Sequence, residues 1–381
     1  MAEISGFESF PGARAVLEAG LLEEVFPGVV AAVWSRKDPD VFHFGWGGSR
    51  RLRLKGLGAQ PMERDTPFDL ASLTKVFGTA GLAMALIERG WIRWNTPVRA
   101  ILPDFRYSGI TLGDLAGHIS GLPAWAPLFE GMRETFQTRE LERIAVDERQ
   151  AVMRELVFGI DIERAPRSKA VYSDLGFLVL GFCLEEVAGL PLDHAVERML
   201  WRPMGLADGT SRAPFYVRTT EPAFRGRDET VAATEDCPWR GAILQGQVHD
   251  DNAWAMGGYG GHAGAFGDAR TLLRYGKGLL AGTFSATVMR DAWSRLLIPE
   301  GSDRTPGWDT PSGEFPALGK IFSARSVGHL GFTGTSFWID PVNQVVVTLL
   351  TNRVHPTREN PRMKPFRGRF HDALARDLFG L

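Results

Sequence analysis

A mixed α/β (α+β) fold is predicted, with strands near both ends of the chain and a mainly helical middle. Three observations carry this. Gly28–Ser35 (GVVAAVWS) is a continuous apolar, β-branched run of strand length. Ser326–Arg353 (SVGHLGFTGTSFWIDPVNQVVVTLLTNR) alternates and then turns continuously apolar, which marks two strands joined around Asp340-Pro341-Val342-Asn343. Between these ends the apolar pattern is helical, punctuated by Pro97, Pro103, Pro123, Gly189 and Pro203. Strands at the two ends of a chain can form one antiparallel sheet if the intervening part is an insertion.

In chain order, Phe10–Leu22 reads as an amphipathic helix and Gly28–Ser35 as the first core strand, followed by a strand over Val41–Gly45. Ser49-Arg50-Arg51-Leu52-Arg53 reads as a solvated turn, and the charged segment Glu130–Arg164 as exposed helices near a cleft. FLVLGFCLEEVAGL, from Phe177 to Leu190, reads as an apolar helix. Gly257 to Gly267 lacks the spacing of a dinucleotide fingerprint and reads as a close-packed turn. A helix around Phe366–Leu378 closes the chain.

Composition narrows the function classes. With 381 residues, 44% hydrophobic and 23% charged, the chain can bury a large core. A net charge of −2 gives no bias toward nucleic acid or anionic membranes. No apolar run approaches the length of a membrane span, and the N-terminus has neither a basic n-region nor an h-region, so a cytoplasmic protein is expected. Cys183 and Cys237 do not indicate a disulfide framework, and the eight histidines show no paired metal spacing. No cofactor and no metal are expected; oligomeric state is not legible.

Chemistry concentrates in three segments. Ser72-Leu73-Thr74-Lys75 places a hydroxyl and an amine one helical turn apart, where the amine can assist deprotonation of an otherwise poor nucleophile. Taken alone, Ser72 reads equally as a helix N-cap. Tyr172-Ser173-Asp174 precedes the apolar helix, so Tyr172 is a candidate general base, while Ser173 or Asp174 can cap that helix. His329-Leu330-Gly331 lies on a strand, where Gly331 allows close approach of a substrate; read blandly, His329 is a hydrogen-bonded strand histidine.

With Leu115-Ala116-Gly117-His118-Ile119-Ser120-Gly121-Leu122-Pro123 between the serine and tyrosine segments, the chain resembles the serine β-lactamase and penicillin-binding-protein superfamily, within its class C-like group of esterases, D-aminopeptidases and D,D-peptidases. The resemblance spans nearly the whole chain, and its motifs come in the right order. It implies a β-lactamase/transpeptidase-like sandwich, an antiparallel sheet flanked by helices and built from residues 1–75 and 265–381, with a mainly helical domain inserted over 76–264 and the active site at their junction. It also implies that Ser72 is the acylated nucleophile, Lys75 its assisting cation and Tyr172 the proton shuttle, with an oxyanion hole from the N–H groups of Ser72 and Phe332. Ser120 is assigned a structural role at its turn.

Two positions depart from the family pattern: Asp174 stands where asparagine is common and His329 where lysine is. An ionised Asp174 only accepts hydrogen bonds, so it is expected to pair with Lys75 and keep that amine protonated, leaving proton abstraction to Tyr172. Trp125 is expected to line the cleft mouth, though a core tryptophan is the competing reading. The expected activity is acyl-enzyme hydrolysis of a small ester or amide. D,D-peptidase, D-aminopeptidase or β-lactamase action is the alternative within the class, and a silent binding protein on the same fold the alternative outside it. Neutral substrates are expected to be preferred over carboxylate-bearing β-lactams, with β-lactam acylation improving as His329 gains a proton in acid.

Overall fold

The computed structural model describes residues 3–138, 140–207, 213–220 and 228–381. Its seven-stranded sheet runs in the order Ile4–Gly6, Asp38–Arg51, Gly28–Ser35, Val345–Thr351, Ser336–Asp340, Val327–Leu330, with Gln60–Pro61 also pairing with Asp38–Arg51. Every pairing is antiparallel. The predicted fold class is therefore observed. The first and last parts of the chain meet at the centre, where Val29 faces Thr351 and Ser35 faces Val345.

Both central strands are buried along nearly their whole length, so they read as continuous apolar runs rather than alternating ones. Their side chains still divide by parity, because successive residues of a strand point to opposite faces. Val30, Ala32, Trp34, Val346 and Leu350 join one apolar cluster, shared with the helices of the chain's middle. Val29, Ala31, Val33, Val345, Val347 and Leu349 join a second, under helices Pro11–Leu22 and Met363–Phe379. Those two helices pack together closely, with Gly20 against the rings of Phe26 and Phe366, where a Cβ would fall 2.6 Å from an atom of Phe366.

The turn at Asp340 forms as expected. Its carboxylate accepts the N–H groups of Val342 at 3.0 Å and Asn343 at 3.1 Å, an Asx-type closure of the hairpin. Asp38–Arg51 is longer than the predicted Val41–Gly45, because pairing on both sides carries the strand through its glycines. At Gly45 the ring of Phe7 occupies the place of a side chain, 2.7 Å from a built Cβ. The expected solvated turn at Ser49–Arg53 is corrected in part: Arg51 ends that strand and is buried, its guanidinium held by Gly58 O, Glu229 and Gln245.

Ala71–Glu88 passes for a membrane-spanning helix by length and hydropathy, which the sequence reading did not anticipate, and 83% of that window is buried inside the protein. Helix Asp174–Ala188 is capped by Ser173, whose Oγ accepts the Gly176 N–H at 3.1 Å, and ends at Gly189 with φ +64°. Cys183 and Cys237 are buried free thiols. Within Glu130–Arg164, Arg149 is wholly buried against the carbonyls of Trp254 and Ala255 rather than solvated.

Candidate active site

The site is assembled from Ser72 outward. Phe68–Asp69 pairs with Phe266–Gly267, and the buried Asp69 carboxylate accepts the N–H groups of Ala71 at 2.8 Å and His249 at 2.6 Å. Ala71 is thereby held at φ +47°, a left-handed conformation that costs a non-glycine residue roughly 1–2 kcal/mol. From there the backbone winds as a 3-10 turn over Ala71–Leu73, a π-helical stretch over Lys75–Ala80 and an α-helix over Gly81–Glu88. A π segment of this kind is concentrated at functional sites. Ser72 is not a cap. The N-cap position belongs to Leu70, and Ser72 Oγ instead accepts a hydrogen bond from Lys75 Nζ at 3.0 Å.

The fully buried Lys75 ammonium also donates to Asp174 Oδ1 at 2.6 Å and to His262 O at 3.1 Å. The glycine-rich stretch supplies that carbonyl and is packed on the serine helix, with Thr79 Oγ1 donating to Gly261 O at 2.6 Å. Lys75 Nζ lies 4.9 Å from the centroid of the Tyr172 ring.

Tyr172 is positioned by the His118–Pro123 turn. His118 O accepts the Val171 N–H at 2.8 Å, His118 Nδ1 accepts the Ser173 N–H at 3.0 Å, and Ser173 Oγ donates to Pro123 O at 2.5 Å. Ser120 Oγ accepts the Leu122 N–H at 3.4 Å within the same turn. On the opposite wall, His329 stacks obliquely on Tyr172 with centroids 5.7 Å apart. Its Nδ1 donates to Leu330 O at 2.8 Å, which leaves Nε2 buried, without a partner among the described residues and bearing a lone pair.

These residues surround one pocket of about 830 Å³, lined by Ser72, Trp125, Tyr172, Asp174, His329, Gly331 and Phe332 among others, with Lys75 behind Ser72. Trp125 is 49% exposed and Phe332 51% exposed. Among the described residues neither the Ser72 nor the Phe332 backbone N–H has an acceptor. The Beta-lactamase family model matches residues 13–370.

The chain belongs to the Beta-lactamase family. It is 29% identical over 350 residues to a Salmonella gallinarum protein provisionally named D-alanyl-D-alanine carboxypeptidase, the match covering 85% of this chain and 78% of the relative. Among solved structures, EstCE1, a hydrolase with promiscuous acyltransferase activity, superposes with a TM-score of 0.69 at 21% identity, over 96% of this chain and 99% of that one. A class C β-lactamase from Rhodobacter sphaeroides superposes with a TM-score of 0.65 at 20% identity, over 97% and 99%. At such identities the structural matches establish the fold.

In this Beta-lactamase family site burial sets the protonation states. Burial alone would depress Lys75, yet the charge of Asp174 and the hydrogen bond to it raise it above an ordinary lysine, so it is an ammonium. Burial raises the Tyr172 phenol against the opposing pull of Lys75, so it is neutral at rest. Burial, reinforced by the Lys75 charge, holds His329 well below the usual histidine range, and burial together with Arg304 and Lys75 does the same for His118. Acid activation through His329 near pH 6.5 is thus corrected: the imidazole stays neutral there.

Sequence reasoning passed over several groups of this site. His118 could have been found from its motif, since it brackets the tyrosine turn. Asp250 pairs at 2.8 Å with the buried His262, which holds its carboxyl far below the carboxylate range. Arg353, Lys364 and Arg367 also line the pocket, and no motif marks them.

Proposed function

We propose that this protein is a serine hydrolase that forms an acyl-enzyme on Ser72 and acts on a small ester or amide. The observation that carries the reading is the hydroxyl–ammonium–carboxylate chain Ser72–Lys75–Asp174 beside a neutral phenol, with Ser72, Tyr172 and Asp174 lining one pocket. Because Lys75 is already protonated, it orients Ser72 rather than receiving its proton. Tyr172 then acts as a relay: its oxygen takes the Ser72 proton while its own proton passes to the leaving oxygen or nitrogen. The Oγ–carbon bond forms and the carbon–leaving-group bond breaks. Water reverses the relay, with its proton passing through Tyr172 back to Ser72 Oγ as the acyl group departs. The free N–H groups of Ser72 and Phe332 are the donors for the oxyanion.

Neutral His329 and the nearby Asp174 carboxylate favour substrates without a charge beside the scissile bond. A second reading, hydrolysis of a peptide with a terminal carboxylate, is favoured by Arg353, Lys364 and Arg367 along the pocket and by the name of the Salmonella gallinarum relative. Intact-mass detection of a fluorophosphonate adduct tests the nucleophile. Labelling is expected for wild type and Ser120→Ala and lost in Ser72→Ala; labelling that survives Ser72→Ala overturns the assignment. Turnover of p-nitrophenyl esters, D-amino-acid amides, a D-alanyl-D-alanine peptide and nitrocefin then separates the two substrate readings.

A further inference from the structure

Arg367, on the terminal helix Met363–Phe379, reaches back under the strand end that carries His329 and Gly331. Its side chain is among the buried charged groups, with 9% of the residue exposed. Its Nη2 donates to Gly331 O at 2.8 Å and to Thr335 O at 3.0 Å, while Nε is buried without a partner among the described residues. Among the described residues no carboxylate pairs with it. Burying a guanidinium without a counter-ion is unfavourable, and this one faces a second cation, Arg353, on the same wall. Burial and Arg353 push it down only to about 10, so it stays charged near neutrality.

Gly331 O and the Phe332 N–H belong to one peptide group, and in a trans peptide these two bonds point in opposite directions. A donor that fixes the carbonyl therefore fixes where the N–H aims. The turn bond from Gly334 N to Gly331 O, at 3.1 Å, acts in the same sense. The neighbouring segment is tied to the serine strand, with Thr335 Oγ1 donating to Leu70 O at 3.1 Å and Thr333 Oγ1 to Asp69 O at 2.8 Å. Gly331 lies so near Leu70 O that a Cβ would approach within 2.7 Å. The two candidate oxyanion donors are thus held in mutual register by side-chain-to-backbone bonds.

We propose that Arg367 is a positioning residue of the oxyanion hole, holding the Gly331–Phe332 peptide with its N–H toward the pocket and polarising that peptide so that the N–H donates more strongly as negative charge develops on the substrate oxygen. Charge on the carbonyl side of a peptide strengthens its N–H through hydrogen-bond polarisation, and a donor already aimed costs no reorganisation at the moment of reaction. Arg353 serves as the contrast. Its Nε donates to Phe332 O at 2.8 Å, which belongs to the following peptide and does not carry the Phe332 N–H.

The inference rests on the acyl-enzyme reading, and the test separates the two. Wild type, Arg367→Lys, Arg367→Met and Arg353→Met are compared for kcat and KM on a p-nitrophenyl ester, for fluorophosphonate labelling rate, for affinity toward a boronic acid that forms a tetrahedral adduct, and for Tm. Arg367→Met is expected to lower kcat by roughly 10- to 100-fold, below or near the loss from removing an oxyanion donor outright, with KM within about threefold. Boronate affinity should fall in parallel, Arg367→Lys should recover part of both, and Arg353→Met should lose less than Arg367→Met. If wild type is not labelled on Ser72, the acyl-enzyme reading itself fails. If wild type labels normally and folded Arg367→Met matches it in kcat and boronate affinity, the positioning role alone is overturned. Equal losses in Arg353→Met and Arg367→Met would also overturn it, by showing that the net charge of the wall, not the held peptide, sets the rate.

Discussion

Lys75 Nζ stands 2.6 Å from Asp174 Oδ1, joining residues 99 positions apart in the chain into a pair whose lysine is wholly buried. Asp174 is also the first residue of its helix, where the N-terminal end of the macrodipole favours a carboxylate. Its carboxylate is the counter-ion of the amine that touches Ser72.

Asp174→Asn should therefore destabilise the fold by about 3–5 kcal/mol where Lys75 remains charged, because it leaves a buried ammonium uncompensated. Without the charge of Asp174, burial dominates and carries the Lys75 pKa downward. A lysine whose folded pKa lies below its unfolded value contributes stability that is lost as pH falls. The variant's deficit relative to wild type should consequently be larger at pH 6 than at pH 9 in denaturant titrations. An equal deficit at both values would show that Lys75 keeps its proton by other means.

Tyr172→Phe removes the relay oxygen but leaves the ring against Lys75, His118 and His329. Turnover should drop by at least roughly 10²-fold, the range for loss of a general acid–base group, with little change in Tm. Stopped-flow ester hydrolysis measures this. Near-wild-type turnover would transfer the proton-moving role to Lys75.

Four buried histidines, His118, His329, His355 and His371, are held below the usual histidine range and weigh against stability in acid. His118 and His329 lie well below 6.5, and burial takes His371 down to about 4. Each is depressed in the fold, so the unfolded chain binds protons first as pH drops. The histidine contribution should decline from about pH 6.5 downward, His371 alone accounting for roughly 2–3 kcal/mol by pH 4, while Glu185, raised by burial to about 7, acts in the opposite direction between about pH 7 and 4.5. Chemical denaturation across pH 4–8 tests the slope. In the same range the ratio of β-lactam to neutral-ester kcat/KM should show no step near pH 6.5, whereas His329→Lys should raise that ratio at pH 8. A histidine-like step in the wild-type ratio would contradict a neutral His329.

Trp125 is half-exposed at the pocket wall rather than in the core. Trp125→Ala is expected to change the chain-length preference among p-nitrophenyl esters while leaving the folded fraction intact. A uniform fall in activity and soluble yield would instead indicate a structural role.

Much of the fold was readable because strands and helices announce themselves by local period. The valine-rich strands at Gly28–Ser35 and Val345–Thr351, the Asp340 turn and the two flanking helices follow from neighbouring residues alone. Short pieces such as Gln60–Pro61 and Phe68–Asp69 escaped notice, since a two-residue strand has no period and exists only through its partner. Arg51 and Arg149 read as solvated for a related reason: a charge run looks the same whether its carbonyl and carboxylate partners are near or absent.

By itself the sequence determined the sheet-forming segments, the i,i+3 spacing of Ser72 and Lys75, and the order of motifs that carries the family resemblance. Tertiary structure alone decided that the π-helical winding and the Asp69 bonds hold Ser72 off a cap, that His118 pins Tyr172, and that Arg367 reaches Gly331 from the far end of the chain. It also decided charge state. A side chain's spacing is inherited from backbone geometry, but the proton on Lys75, Tyr172 or His329 depends on how much water packing removes and which charges it brings within a few ångströms, and neither quantity is local in sequence.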